Sequence, residues 1–273
     1  MRTEIPFRLI GGEQPLIVVP ARFNGSEPIE CALDTGASHA MLLPEIGARL
    51  GVKVEQTREA KGAGGPVTVQ IGKAESVALG DAVARDVAIL MSDDLERIGA
   101  AIGHPLGGNI GHSFLGRYRL TVDYERHILA LCTPDEPADG RPARAELPFT
   151  LAHPAKPLIL IPVDVDGRLF QFALDTGASI TVISPEVARR CDVQAASVAG
   201  MTGGGGAVAA SAGVISSLGI GAVRISRVRV AVAEFLEGLG RAVGVALDGI
   251  VGTNVLRRFR LTIDYPAAIL RLV

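Results

Sequence analysis

Short apolar runs, punctuated by Gly, Pro, Asn and Asp, recur along nearly the whole chain. That rhythm predicts β-strands joined by tight turns. Leu16-Ile17-Val18-Val19 and Leu158-Ile159-Leu160-Ile161 are two such runs, each flanked by Pro on both sides. Each leads to a hairpin signal, Asn24-Gly25 in one case and Asp166-Gly167 in the other. Helical signals are few and local. Ser184-Pro185-Glu186 supplies a capping hydroxyl, a first-turn proline and an acid at the positive helix end. Pro44-Glu45 starts a comparable helix that Gly51 ends. Two more short helices are expected at residues 113–118 and 253–259. The fold predicted is all-β with short helices.

The runs are not independent of one another. Ile5-Pro6-Phe7-Arg8-Leu9 returns as Leu147-Pro148-Phe149-Thr150-Leu151, and Leu33-Asp34-Thr35-Gly36-Ala37-Ser38 returns as Leu174-Asp175-Thr176-Gly177-Ala178-Ser179. Glycine-rich residues 62–65 return at 203–206, Ile110-Gly111 as Val251-Gly252, and Arg119-Leu120-Thr121-Val122-Asp123-Tyr124 as Arg260-Leu261-Thr262-Ile263-Asp264-Tyr265. Agreement at separate places with one small slip in spacing marks a duplication of a unit of about 130 residues. The boundaries expected are a first lobe over 1–132, a Pro-rich polar linker over 133–146 and a second lobe over 147–273.

Composition narrows the function classes. The 273 residues are 48% hydrophobic with 33 Gly, 16 Pro and no Trp, which fits a turn-rich globular chain and excludes disorder. A net charge of -2 offers no basic face to nucleic acid or to an anionic membrane. Cys31, Cys132 and Cys191 have neither disulfide nor zinc spacing and read as packed thiols. The first residues hold no long apolar run and no stretch reaches membrane-spanning length, so a cytoplasmic location is expected.

A lone Asp-Thr-Gly arises by accident in roughly one chain in twenty of this length and is usually a surface turn. Two of them in matched repeats, each at the end of an apolar strand such as Phe170-Gln171-Phe172-Ala173-Leu174, are a different signal. A carboxylate there is costly to bury alone. Its natural partner is the same group from the other copy, across a pseudo-two-fold axis. Two carboxyls about 3 Å apart cannot both ionise and so share one proton. The ionised member can act as general base on a water, and the protonated member can polarise a carbonyl.

The run Asp-Thr-Gly-Ala, then a glycine-rich hairpin, then an apolar pair ending in Gly before a short helix resembles the retropepsin-like aspartic proteases, here as two units fused in tandem. The shared-proton dyad is the established chemistry of such enzymes. The resemblance implies two β-barrel lobes related by a pseudo-two-fold axis. It implies an aspartic endopeptidase with Asp34 and Asp175 as the catalytic pair. Thr35, Gly36, Thr176 and Gly177 would support the active-site loops. Flap glycines Gly62, Gly64, Gly65, Gly203, Gly205 and Gly206 would close on a polypeptide substrate. No metal or cofactor is implied, and one monomeric chain would hold the complete site.

This chain departs from the family pattern at matched places. Viral retropepsins carry Asp at the second position after the Gly and a basic residue after the apolar-Gly pair. Here Ser38 and Ser179, then His112 and Thr253, take those places. Ala37 and Ala178 stand where pepsin-like lobes have a hydroxyl. Loss of that hydrogen bond to the carboxylate points to a working pH nearer neutral than pepsin's. Gly111-His112-Ser113 is not followed by the second Gly of a nucleophile elbow and reads as a loop. His39 has Ile180 as its counterpart and is given no catalytic role. Arg257, Arg258 and Arg260 read as a solvated face, and Asp123 and Asp264 as strand-ending residues. A non-catalytic peptide-binding module on the same fold remains the rival reading.

Overall fold

The computed structural model describes residues 1–13, 15–137, 140–197 and 201–273. Ala138 and Asp139 of the expected linker lie outside the described residues. Strands cover 52% of the chain and helices 14%, so the fold is all-β, as the alternating pattern predicts.

Each repeat builds a closed barrel of six strands. In the first lobe the order around the barrel is Leu16–Phe23, Ile29–Leu33, Gly108–Ile110, Ala40–Leu42, Ala82–Met91 and Gly65–Leu79. The pairs Arg22–Ala78 and Phe23–Val77 close the ring. The second lobe repeats the order with Lys156–Val165, Arg168–Leu174, Gly249–Val251, Thr181–Ile183, Val223–Val232 and Ser211–Ile220, closed by Asp164–Gly219 and Val165–Leu218. In both lobes the strand that ends in the Asp-Thr-Gly loop pairs in parallel with the strand that carries the apolar-Gly pair. Parallel neighbours buried on both faces need apolar side chains throughout. Leu33, Ile110, Leu174 and Val251 supply them and are almost fully buried.

Turn chemistry places the barrels' corners. Asn24 and Gly25 have φ of 51° and 72°, and Asp166 and Gly167 have φ of 48° and 83°. These left-handed values suit a two-residue hairpin, and Asn, Asp and Gly adopt them most readily. Helix Pro185–Arg190 is capped by Ser184, whose hydroxyl accepts from the Val187 N–H at 3.2 Å. Helix Pro44–Arg49 is its counterpart.

The helices after the apolar-Gly pairs are shorter than the sequence predicts, at His112–Leu115 and Thr253–Leu256. The chain turns early so that Phe114, Leu115, Val255 and Leu256 reach the core. A third helix per lobe, Asp94–Ile102 and Phe235–Val243, was not foreseen. Its Gly and Ala content masks the helical period, and tertiary packing of Leu95 and Leu236 stabilises it.

The lobes join through a six-stranded antiparallel sheet in the order Arg2–Pro6, Ile128–Cys132, Arg119–Asp123, Arg260–Asp264, Ile269–Leu272 and Ala145–Pro148. Each lobe contributes three of these strands. At the seam Arg119 pairs with Asp264, Thr121 with Thr262 and Asp123 with Arg260. The strand Ala145–Pro148 begins inside the segment expected to be linker. Arginines of both lobes hold other points of the connection. Arg119 donates to the carbonyls of Glu136 and Pro137 at 3.0 and 2.8 Å, and Arg271 donates to that of Arg141 at 3.0 Å. Arg260 is mostly buried and its guanidinium lies 3.3 Å from Asp123, so it belongs to the seam and not to a solvated face. The repeat pattern had already paired Asp123 with Asp264. What it could not convey is that each would meet the arginine of the opposite copy.

Candidate active site

Both Asp-Thr-Gly loops meet on the pseudo-two-fold axis. Thr35 N–H donates to Thr176 Oγ1 at 3.1 Å, and Thr176 N–H donates to Thr35 Oγ1 at 3.0 Å. Each hydroxyl then donates across the interface to a carbonyl, Thr35 to Leu174 at 3.3 Å and Thr176 to Leu33 at 2.8 Å. Four hydrogen bonds thus cross the interface and satisfy three buried polar groups on each side, which fixes the relative position of the loops.

This grip brings Asp34 and Asp175 together. Asp34 Oδ1 accepts from the N–H groups of Gly36 and Ala37, both at 2.9 Å. Asp175 Oδ1 accepts from the N–H of Gly177 at 2.7 Å and from that of Gly36 at 3.2 Å. The approach explains the glycines. A Cβ on Gly36 would lie 2.5 Å from Asp175 Cγ, and one on Gly177 would lie 2.6 Å from Asp34 Cγ. Any larger residue would push the carboxyls apart.

Each carboxyl keeps some accessible surface, yet dense protein surrounds both. Burial pushes Asp34 well above the ordinary carboxylate range, and the charge of Asp175 adds to the shift. Burial also raises Asp175, but the N–H of Gly177 and the side chain of Asp34 hold it down. Burial favours the protonated form of both, and the two titrate as a unit.

The apolar-Gly pairs brace these loops from below. Ile110 and Val251 carbonyls accept from the N–H groups of Asp34 and Asp175, each at 3.0 Å. Ala37 and Ala178 carbonyls accept from the N–H groups of His112 and Thr253 at 2.9 and 2.7 Å. Thr253 Oγ1 also donates to the Thr176 carbonyl at 3.2 Å. His112 instead packs its ring edge-on against Tyr265, with centroids 5.3 Å apart. Ser113 Oγ accepts from the Ala40 N–H at 2.9 Å, a loop contact with nothing of a nucleophile about it. His39 touches Ser38 Oγ at 2.9 Å.

The glycine-rich segments are hairpin tips that meet one another across the lobes. Gly62 pairs with Gly65, and Gly203 with Gly206. Gly64 N–H donates to the Gly204 carbonyl of the other lobe at 2.7 Å. A Cβ on Gly62 or Gly64 would strike the carbonyl of Gly204 or Gly206, so only glycine permits this backbone contact. Gly65, Gly205 and Gly206 have φ of 136°, 91° and 129°.

Two nearby residues escaped the sequence reading. Tyr265 is buried and its phenol makes no hydrogen bond among the described residues; burial, and after it the charges of Asp34 and Asp175, push its pKa up. Its pairing with Tyr124 in the repeats was the available signal. Asp94, on the helix Asp94–Ile102, accepts from the Gly205 N–H at 3.1 Å and so ties one tip to the opposite lobe. Its repeat counterpart is Phe235, so symmetry gave no hint of it. No group of His, Cys, Asp and Glu among the described residues is arranged to hold a metal ion.

No curated protein is similar enough in sequence to count as a match. The sequence pattern of the aspartyl protease family, in contrast, matches this chain twice, over residues 19–115 and 161–255. Both matches contain the complete Asp-Thr-Gly loop and the apolar-Gly pair beneath it, and together they span most of the chain, which belongs to the aspartyl protease family.

Proposed function

We propose that the chain is an aspartic endopeptidase in which Asp34 and Asp175 share one proton and hydrolyse a peptide bond laid across the lobe interface. The observation that carries this reading is the meeting of both carboxyls on the axis, each held by the N–H groups of its own loop. The proton belongs to the pair; in one of the two assignments that the pseudo-two-fold axis relates, Asp34 carries it as the acid and Asp175 is the base.

Asp175 removes a proton from a water, whose oxygen attacks the scissile carbonyl carbon. Asp34 gives its proton to the carbonyl oxygen, leaving a neutral tetrahedral diol. Asp175 then passes its new proton to the amide nitrogen as the C–N bond breaks. One diol hydroxyl returns its proton to Asp34, which restores the starting pair. The macroscopic pKa values belong to the pair, so a bell-shaped pH profile is expected. The substrate is an extended polypeptide that runs beneath the flap tips, and one chain suffices because it carries both carboxyls.

The test is cleavage of a mixed peptide library between about pH 3 and pH 7.5 by wild type, Asp34→Asn and Asp175→Asn. Cleavage by wild type and loss of at least about 1,000-fold in each variant supports the dyad. Full activity in either variant overturns it. Binding of peptides with no cleavage by wild type would make the chain a peptide-binding module.

A further inference from the structure

The two lobes present opposite chemistry at matched positions beside the dyad. Asn109 precedes Ile110 in the strand Gly108–Ile110, and its repeat counterpart, before Val251, is Ile250. Asn109 Nδ2 lies 3.5 Å from Asp34 Oδ2, the oxygen that the loop N–H groups leave open. Its own Oδ1 is buried and accepts no hydrogen bond among the described residues. The side chain is 6% exposed, so this is an orphaned acceptor beside the dyad. Leaving such a group unpaired costs about 1–3 kcal/mol. Turned by half a turn, the amide would set its oxygen against the Asp34 carboxyl oxygen, so donation by Nδ2 selects this orientation and leaves Oδ1 as the open acceptor.

Ile250, also 6% exposed, sits in an apolar cluster instead. That cluster takes in Val208 from one flap, Ala63 from the tip of the other, and Ala178 and Ile180 from the second Asp-Thr-Gly loop. On that side, apolar side chains therefore pack from the Asp-Thr-Gly loop to the hairpin tips. The contrast extends to neighbouring pairs: His39 stands opposite Ile180, Ser92 opposite Ala233 and Asp94 opposite Phe235.

From this asymmetry we infer that the cleft, read as a protease site, takes peptides with a hydrogen-bond-donating side chain on one side of the scissile bond and an apolar side chain on the other, with Asn109 and Ile250 as the discriminating residues. A strand crossing the dyad on the pseudo-two-fold axis has its two flanking side chains related by that axis. If one reaches Asn109, the other reaches Ile250. Glutamine, asparagine, serine or lysine can donate to Asn109 Oδ1. An ionised acidic side chain brings no proton for Asn109 Oδ1 and is rejected. An apolar one would seal off the orphaned oxygen, the kind of mismatch that polar sites reject strongly.

The inference rests on the protease reading but is tested separately from it. The probes are four octapeptides with a non-cleavable reduced-amide bond, carrying Gln or Ile at each flanking position in all combinations. Wild type is expected to bind one mixed peptide at least about 10-fold more tightly than Ile on both sides. Asn109→Ile should move the preference to Ile on both sides, and Ile250→Asn to Gln on both sides. Wild type alone decides the matter if a variant fails to fold. Equal or tighter binding of the Ile–Ile peptide by wild type, or no binding of any probe, overturns the inference. Cleavage of the ordinary amide peptides is scored in parallel. The expected binding preference without cleavage sinks the protease reading and leaves the polarity of the cleft standing; cleavage without preference does the reverse.

Discussion

The hydroxyls of Thr121 and Thr262 hydrogen-bond to one another at 2.9 Å, in the middle of the strand pair that joins the lobes. Each is the repeat image of the other, so this contact lies on the pseudo-two-fold axis. On either side sits a mostly buried ion pair, Arg119 with Asp264 at 3.6 Å and Arg260 with Asp123 at 3.3 Å. The seam is therefore polar at its centre and apolar around it, with Leu120, Val122, Leu261 and Ile263 buried beside the charges.

Removing one member of such a pair strands the other charge. Arg260→Met is expected to cost about 3 kcal/mol or more, and adding Asp123→Asn should restore much of it. Urea unfolding of the single and double variants measures both. A double variant as unstable as Arg260→Met would show that Asp123 is not the stranded partner.

The threonine grip makes a sharper demand. Thr176→Val keeps the shape but leaves Thr35 N–H and the Leu33 carbonyl without their partner hydroxyl, at about 1–3 kcal/mol for each group. Thr176→Ser keeps the hydroxyl. Stability and kcat/KM should fall in the valine variant and survive in the serine variant. If serine proves as damaging as valine, the methyl group and not the hydrogen bonds holds the loops.

The dyad ties stability to pH with a definite sign. Asp34 has a folded-state pKa raised above its ordinary value of 3.8. The folded state then binds the proton more tightly than the unfolded chain. Its stabilising effect is complete below that ordinary value and is lost as pH rises through the raised one. Asp34→Asn removes this dependence. At pH 7 it should be more stable than wild type, by a margin that shrinks as pH falls. Thermal unfolding between about pH 4 and pH 8 checks this; parallel curves for the two proteins would contradict it.

Activity has its own pH signature. Ala37 and Ala178 bring no hydroxyl to the carboxyls, while burial raises both. The maximum of kcat/KM should therefore lie above about pH 3, where the pepsin pair operates. A maximum below that value would mean that the backbone N–H groups alone hold the pair as acidic as pepsin's.

Asp94 fastens the tip of the second glycine-rich hairpin from the first lobe. Replacing it with Ala should leave the barrels intact and speed amide exchange at residues 203–206, with the Gly205 N–H responding most. Unchanged exchange there would show that the glycine contacts with Gly64 and Gly65 keep the tip shut by themselves.

Much of this was legible because duplication doubles every signal. Asp34 with Asp175, the two glycine tips and the Asn-Gly and Asp-Gly corners could each be checked against a second copy. Local chemistry also carried the helix at Pro185–Arg190 through Ser184. What escaped is whatever one copy holds alone or the copies hold between them. Asp94 and Asn109 have apolar counterparts, so comparing repeats discounts them. Arg260 reads as a surface charge until strand pairing across the lobes supplies Asp123. The helices Asp94–Ile102 and Phe235–Val243 exist because the barrel gives Leu95 and Leu236 somewhere to go, which no local pattern announces.

The strap between the lobes alters how the site responds to dilution. A centre assembled from separate chains comes apart as protein becomes scarce, and its specific activity falls with concentration. Here both halves belong to one chain, which keeps the second near the first at an effective concentration on the order of millimolar or more, however little protein is present. The same tether frees the halves from having to be copies. A substitution at position 109 is not imposed at position 250, so a single gene can give one wall of the cleft an amide and the other a hydrocarbon.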